Sequence, residues 1–235
     1  MLYQNPQPVF DELAERYDLE YFEYERENEA QFLNLMELGL KDIGFRRLES
    51  VMEGGLVFLD VGCATGLLIS SMAKRGWQSV GVEICRPAAE FGIRERGVDI
   101  RIGTLEDARF EDESFSIVHC SHLIEHLVDP LGFAREVHRI LRPEGFFLVA
   151  TPNTQGMQAK LLGPRWRSAI ADHMVLFSKN NLTLLLNSAG FKVEGSKTWG
   201  GIAKGLAPAI LKSPIDRLAK VFGFGDIMIL RASKR

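Results

Sequence analysis

Phe58-Leu-Asp60-Val-Gly62-Cys-Ala-Thr-Gly66-Leu67 runs an apolar strand straight into a turn of small residues that opens a helix. Such a turn lets a ligand approach the backbone and presents the free N–H groups of the helix to it. The dinucleotide fingerprint G-x-G-x-x-G sets a pyrophosphate on that helix end. Here Ala64 and Leu67 stand where its second and third glycines belong, so the fingerprint fails. The phosphate-cradling P-loop fails as well, because no Gly-Lys-Ser/Thr follows. Asp60, at the strand end, would repel a pyrophosphate but suits a cationic group. Glu83 ends the next apolar run, where a carboxylate can accept two hydrogen bonds from a ribose diol. Together they describe a nucleoside with a positive, non-phosphorylated tail, a description that S-adenosylmethionine fits.

Outward from the loop, short apolar runs alternate with helical periodicity, the pattern of a parallel sheet covered by helices. The expected strands are 56–61, 79–83, 98–102, 115–120 and 145–151, with helices over 66–75, 87–96 and 130–141. Asp129 caps the last of these and Pro130 fits its first turn, with Phe133, Val137, Ile140 and Leu141 on one face. Residues 156–172 are basic and irregular around Trp166. Ser178 then opens a helix striped by Leu182, Leu185, Leu186 and Ala189 and ended by Gly190. Residues 191–199 and 226–232 read as two more strands. Between them a short helix is expected to be capped by Ser213 and started by Pro214, with Ile215, Leu218 and Phe222 facing one way. Residues 1–50 read as a helical cap, holding a helix over about 28–40, and residues 51–235 as the ligand-binding domain, with 200–224 a lid-like insert hinged at Gly200, Gly201 and Gly205.

At these residues the chain resembles the class I S-adenosylmethionine-dependent methyltransferases, and within them a small-molecule branch that includes quinone and sugar O-methyltransferases. The resemblance covers roughly residues 56–199. Asp60-Val-Gly62-Cys63-Ala64-Thr65-Gly66 matches the cofactor loop, Val82-Glu83-Ile84 the ribose acid and its neighbour, and Gly103-Thr104-Leu105-Glu106 the turn flanking the adenine. Phe115–Cys120 with Ser121, followed by Ile124-Glu125-His126-Leu127, matches the fourth strand and its loop. Arg139–Gly145 matches the turn into the fifth strand, and His173–Ser178 with Ala189-Gly-Phe191 a later helix pair. Ser116 and Thr104 stand where relatives often carry acids. The resemblance implies a Rossmann-like, seven-stranded, mostly parallel α/β sheet with the last strand antiparallel. It also implies methyl transfer from S-adenosylmethionine to a small-molecule acceptor, most simply a hydroxyl oxygen. A base for that hydroxyl is expected at His173, or else at His126.

Other patterns set limits. His122-Leu-Ile-Glu125-His126 also has the H-x-x-E-H spacing of a zinc peptidase, but Pro130 follows too soon for a ligand helix, so no metal is carried into the reading. A non-catalytic subunit that keeps the nucleoside site is the other rival. His119 is expected to be a satisfied packing residue and His138 an exposed one. Cys63, Cys85 and Cys120 form no CxxC pair, which with the unremarkable first residues suggests no secretory signal and a cytoplasmic setting. Hydrophobic residues at 46% and charged residues at 25% exclude disordered and fibrous classes. The net charge of −3 divides into −8 over residues 1–55 and +9 over 154–235, which favours attraction between the two ends of one fold. Nucleic acid is not expected, because no basic patch is interleaved with aromatics, and any membrane contact is at most peripheral.

Overall fold

The computed structural model describes residues 2–3, 19–52, 55–201 and 209–234. In chain order its elements are β1 (Leu2–Tyr3), α1 (Leu19–Asp42), α2 (Phe45–Val51), β2 (Val57–Val61), α3 (Leu67–Lys74), β3 (Gln78–Glu83), α4 (Arg86–Arg96), β4 (Asp99–Ile102) and β5 (Phe115–Ser121). There follow α5 (Pro130–Ile140), β6 (Leu141–Pro152), α6 (Met157–Leu162), β7 (Val175–Leu176), α7 (Lys179–Ser188), β8 (Phe191–Trp199), α8 (Ala209–Phe222) and β9 (Ile227–Lys234).

Seven strands form one sheet in the order β4-β3-β2-β5-β6-β9-β8. Neighbours from β4 to β6 pair in parallel, and β9 runs antiparallel to both β6 and β8. The expected Rossmann-like sheet with an antiparallel last strand is therefore present. The order reverses between β2 and β5, and in open α/β sheets ligands bind at the carboxyl ends of the strands flanking such a switch point.

Alternate strand residues feed two cores, as the two-residue strand period requires. Leu59, Val118, Phe147 and Leu230 pack with Phe133, Val137 and Ile140 of α5 and Leu182 and Leu186 of α7. Phe58, Ile117, Leu148 and Ile229 pack on the opposite face with Leu40, Phe45, Leu68, Ile69 and Met72. Each fully buried Leu or Phe contributes about 1.5–3 kcal/mol, so the sheet is clamped from both sides. Asp129 accepts from the Gly132 amide and Ser178 from the Asn181 amide, the caps read from the sequence.

Three local expectations change. The N-terminal helix runs from Leu19 rather than about residue 28. Pro214 does not start α8 but lies inside it, where it removes the bond its nitrogen would donate to the carbonyl four residues back. Leu218, Val221 and Phe222 of that helix are exposed, while Ala219 is buried. His138 is not exposed: its ring meets Phe191 edge-on at 5.2 Å, in the space left by the missing side chain of Gly190. Gly205, one of the three expected hinges, lies outside the described residues. The opposite charges of the two ends do meet, with Lys220 Nζ 2.5 Å from Asp42. No helix among the described residues is long and apolar enough to cross a membrane.

Candidate functional site

The loop after β2 is held in a shape that only small residues accept. Gly62, Ala64 and Gly66 all have positive φ, at 74°, 47° and 71°. A Cβ at Gly66 would stand 2.9 Å from Val98 Cγ2, so glycine is needed there on two counts. The Gly62 and Cys63 amides both donate to the Val82 carbonyl at 2.9 and 3.2 Å, tying the loop to β3. Cys63 Sγ packs over Gly81, where a Cβ would come within 2.4 Å of it. The Cys63 and Cys120 thiols are buried, and burial pushes both well above the usual thiol range. Neither is a nucleophile in this state.

Glu83 is the keystone. Its Oε2 accepts from the Ala64 amide at 2.8 Å and its Oε1 from the Cys85 amide at 2.7 Å. Burial raises its carboxyl above the ordinary value, against the pull of the backbone amides of Cys85, Ala64 and Ile84. The carboxylate has about four lone pairs and these three amides take three of them, so Glu83 can still take a further donor. Asp60, 2% exposed, is bound through Oδ1 to His119 Nδ1 at 2.7 Å. The two residues lie opposite each other in the β2–β5 register, which brings their side chains to one face. Burial raises the Asp60 carboxyl and His119 opposes the rise. His119 is thus the satisfied buried histidine expected, with Asp60 as its partner.

Beyond β4, the Gly103 amide donates to the Glu83 carbonyl at 2.9 Å. The Thr104 hydroxyl and amide both donate to Asp107 Oδ2, at 2.9 and 3.0 Å, which fixes the turn. Leu105 is buried and Glu106 exposed. Cys120 and Ser121 end β5, and the Leu123 side chain lies 3.5 Å from where a Gly62 Cβ would be. The parallel register therefore brings Asp60 to Gly66, Glu83, Ile84, Cys120 and Ser121 to the same carboxyl edge of the sheet, with Thr104 to Glu106 following β4.

The sequence reading missed what α1 contributes. Glu29 accepts from the Thr65 hydroxyl at 2.8 Å and pairs with Arg96 at 2.7 Å, while Phe22 packs on Phe91 of α4 with ring centroids 5.5 Å apart. These contacts lay α1 over the glycine loop. Glu25 on the same helix has its carboxyl pushed up to about 7, first by burial and then by the nearby Glu83 carboxylate. The one legible signal was the excess of acids in the first 55 residues, and it names no partner.

A second group of side chains lies past β5. Residues Ile124–His126 form a single 3-10 turn, so His122 and His126 share no helical face and the peptidase arrangement is absent. Glu125, 0% exposed, takes His122 Nδ1 on Oε1 at 3.1 Å and the Thr151 hydroxyl on Oε2 at 2.9 Å. Burial works to raise its carboxyl, but His122 and His126 outweigh that and hold it below the ordinary value. His126 and His173, 47 residues apart in the chain, meet edge-on with ring centroids 4.7 Å apart. Burial holds the His126 imidazole below its usual value.

The family described as a methyltransferase domain matches residues 24–195. A ubiquinone biosynthesis O-methyltransferase of Ruegeria pomeroyi is 35% identical over 42% of this chain and 42% of its own length. A probable S-adenosylmethionine-dependent methyltransferase of Mycolicibacterium smegmatis is 34% identical over 64% of this chain and 60% of its own. The matches thus span about two fifths to three fifths of these relatives. The solved structure of a SAM-dependent methyltransferase from Thermotoga maritima superposes with a TM-score of 0.62 at 22% identity, over 88% of this chain and 95% of that one. That likeness concerns the fold; the match over residues 24–195 makes the chain a member of the methyltransferase-domain family.

Proposed function

We propose that the protein transfers a methyl group from S-adenosylmethionine to a hydroxyl of a small molecule. One observation carries the reading: the carboxylates of Asp60 and Glu83 are both buried at the ends of adjacent strands, beside a left-handed glycine loop at the switch point of the sheet. Glu25 adds a third acid close by. Acids raised by burial and by one another regain their charge beside a cation, so the group disfavours a phosphate and favours a nucleoside bearing sulfonium and ammonium groups. In this reading the amides of the Gly62–Gly66 loop face the cofactor tail, Glu83 takes the ribose hydroxyls, Ile84 and Thr104 to Glu106 flank the adenine, and Cys120 and Ser121 line the floor. Asp60, fixed by His119, supplies the charge that opposes the cation.

The sulfonium is already an activated donor, so the chain has two tasks: to align the acceptor oxygen with the S–CH3 bond and to remove its proton. His173 is the proposed base, with His126 beside it. Supporting this, Nδ1 of His126 lies 2.9 Å from the Asp172 carbonyl and Nδ1 of His173 2.7 Å from the Ser168 carbonyl. A carbonyl only accepts, so each Nδ1 carries the proton and each Nε2 keeps a lone pair. The ubiquinone O-methyltransferases among the relatives make an aromatic hydroxyl a sensible first acceptor class. The lid-like role of residues 200–224 and a cytoplasmic setting belong to the same proposal.

Mass spectrometry of ligand carried through purification, followed by calorimetry with S-adenosylmethionine, tests the cofactor. Methyl transfer to a panel of phenols and catechols tests the activity. His173→Ala is expected to lower turnover by ~10²–10⁴-fold with cofactor affinity intact. Absence of any binding of S-adenosylmethionine or its demethylated product would sink the reading. Binding without transfer to any acceptor would favour the non-catalytic subunit.

A further inference from the structure

We propose that Glu125, His126 and His173 form a three-ligand site for a divalent metal ion of the zinc class, set beside the cofactor cleft. One donor atom from each of the three residues lies within 4.8 Å of the other two. Tetrahedral ligands bound at ~2.0–2.2 Å stand about 3.3–3.6 Å apart, so closing the site takes a shift of little more than 1 Å in the ligand atoms.

The surroundings of the three side chains fit this better than a chance cluster. Histidines that bind metals donate the other ring N–H to a carbonyl or carboxylate, which fixes the tautomer and aims the free nitrogen at the ion. Both histidines here do so: His126 to the Asp172 carbonyl and His173 to the Ser168 carbonyl. The carboxylate is oriented in the same manner, by His122 on one oxygen and Thr151 on the other, with a backbone amide as a third donor, and one lone pair remains for an ion. The His126 bond to residue 172 also places His173 within reach across the gap in sequence. Glu125 is fully buried and the two imidazoles half-buried, so protein closes one side of the site and leaves the other open.

The donor set selects the metal. Two imidazole nitrogens and one carboxylate suit zinc and its first-row neighbours, whereas magnesium and calcium prefer oxygen ligands throughout. Three protein ligands leave a fourth position for an outside oxygen, the arrangement of catalytic rather than structural zinc.

The role of the ion rests on the reading of the protein as an O-methyltransferase; the site itself does not. An acceptor hydroxyl bound at the fourth position would lose its proton to solvent near neutral pH. Its oxygen would then form the new O–CH3 bond as the S–CH3 bond breaks, leaving a neutral thioether, and one proton is released per methyl transferred. The histidines would in that case serve as ligands and not as the base.

The test uses tag-free protein dialysed against EDTA and titrated calorimetrically with zinc sulfate and, separately, magnesium chloride. One equivalent of zinc should bind at about 1 µM or tighter, and magnesium should not compete. Cobalt(II) in place of zinc should give visible bands of a low-coordinate N/O site. His126→Ala and His173→Ala should each weaken zinc binding at least ~100-fold, and His122→Ala ~10–100-fold. Unchanged S-adenosylmethionine binding and thermal melting identify the variants that remain folded. Zinc binding weaker than ~100 µM, or equal binding in folded His126→Ala and His173→Ala proteins, would overturn the site. The two proposals fail separately. Full turnover in EDTA with no zinc bound removes the metal and leaves the histidine base. Zinc bound in a protein that methylates nothing removes the activity and leaves the site.

Discussion

Glu25→Gln should make the protein more stable at pH 8 and leave it nearly unchanged at pH 4.5. Burial against the glycine loop, followed by the Glu83 carboxylate, raises the Glu25 carboxyl from 4.5 to about 7, while a Tyr21 hydrogen bond and the charge of His122 oppose the rise. A rise of about 2.5 pH units, at about 1.36 kcal/mol per unit, is worth roughly 3 kcal/mol. The folded protein holds this proton more tightly than the unfolded chain does. The protonated form therefore contributes its full stability below pH 4.5, and that contribution is lost as the pH rises through about 7. Above that, wild type keeps an ionised acid packed beside Glu83, whereas the neutral amide of the variant does not. Urea titrations of both proteins at pH 5 and pH 8 should give a gap that widens by about 2–3 kcal/mol at the higher pH, and hydrogen exchange should locate the change in α1. An equal gap at the two pH values would refute the placement of Glu25 against Glu83.

Glu83→Ala should weaken S-adenosylmethionine by about 1.5–3 kcal/mol, the range for hydrogen bonds to a charged group, as read by calorimetry on a folded variant. Gly66→Ala, placed at φ 71° and against Val98, should destabilise by more than about 1 kcal/mol in chemical denaturation; a neutral result would mean that the loop adopts another shape. His119→Leu leaves the buried Asp60 carboxyl without its hydrogen-bond partner and should cost about 1–3 kcal/mol. Adding Asp60→Asn should restore much of that stability, and strict additivity of the two changes would argue against the pair.

The sheet was legible because its signals are local. A strand of Phe58-Leu59 type followed by a glycine turn, an acid ending the next strand and a capped helix at Asp129 are each written in a few consecutive residues. What escaped was long-range. Glu29 meets Thr65 and Arg96, Asp60 meets His119, and His126 meets His173 only once the fold has closed, and nothing in the spacing of those residues announces the pairing. His138 shows the same limit in reverse: its helical position looks polar, yet Gly190 leaves a slot for its ring. Pro214 misled for a local reason, since the rule placing proline in the first turn is a preference and α8 accepts the lost bond.

The placement of β9 sets the timetable of synthesis. Among the described residues β8 pairs with β9 alone, and β9 is inserted between β8 and β6. As the chain leaves the ribosome, β6 and β8 emerge first and wait about thirty residues for the strand that joins them. During that interval β6, an apolar strand from Phe146 to Ala150, presents an open edge able to recruit a neighbouring chain. A chain ending within α8 would keep that β6 edge unpaired, so truncation before β9 is expected to show as aggregation.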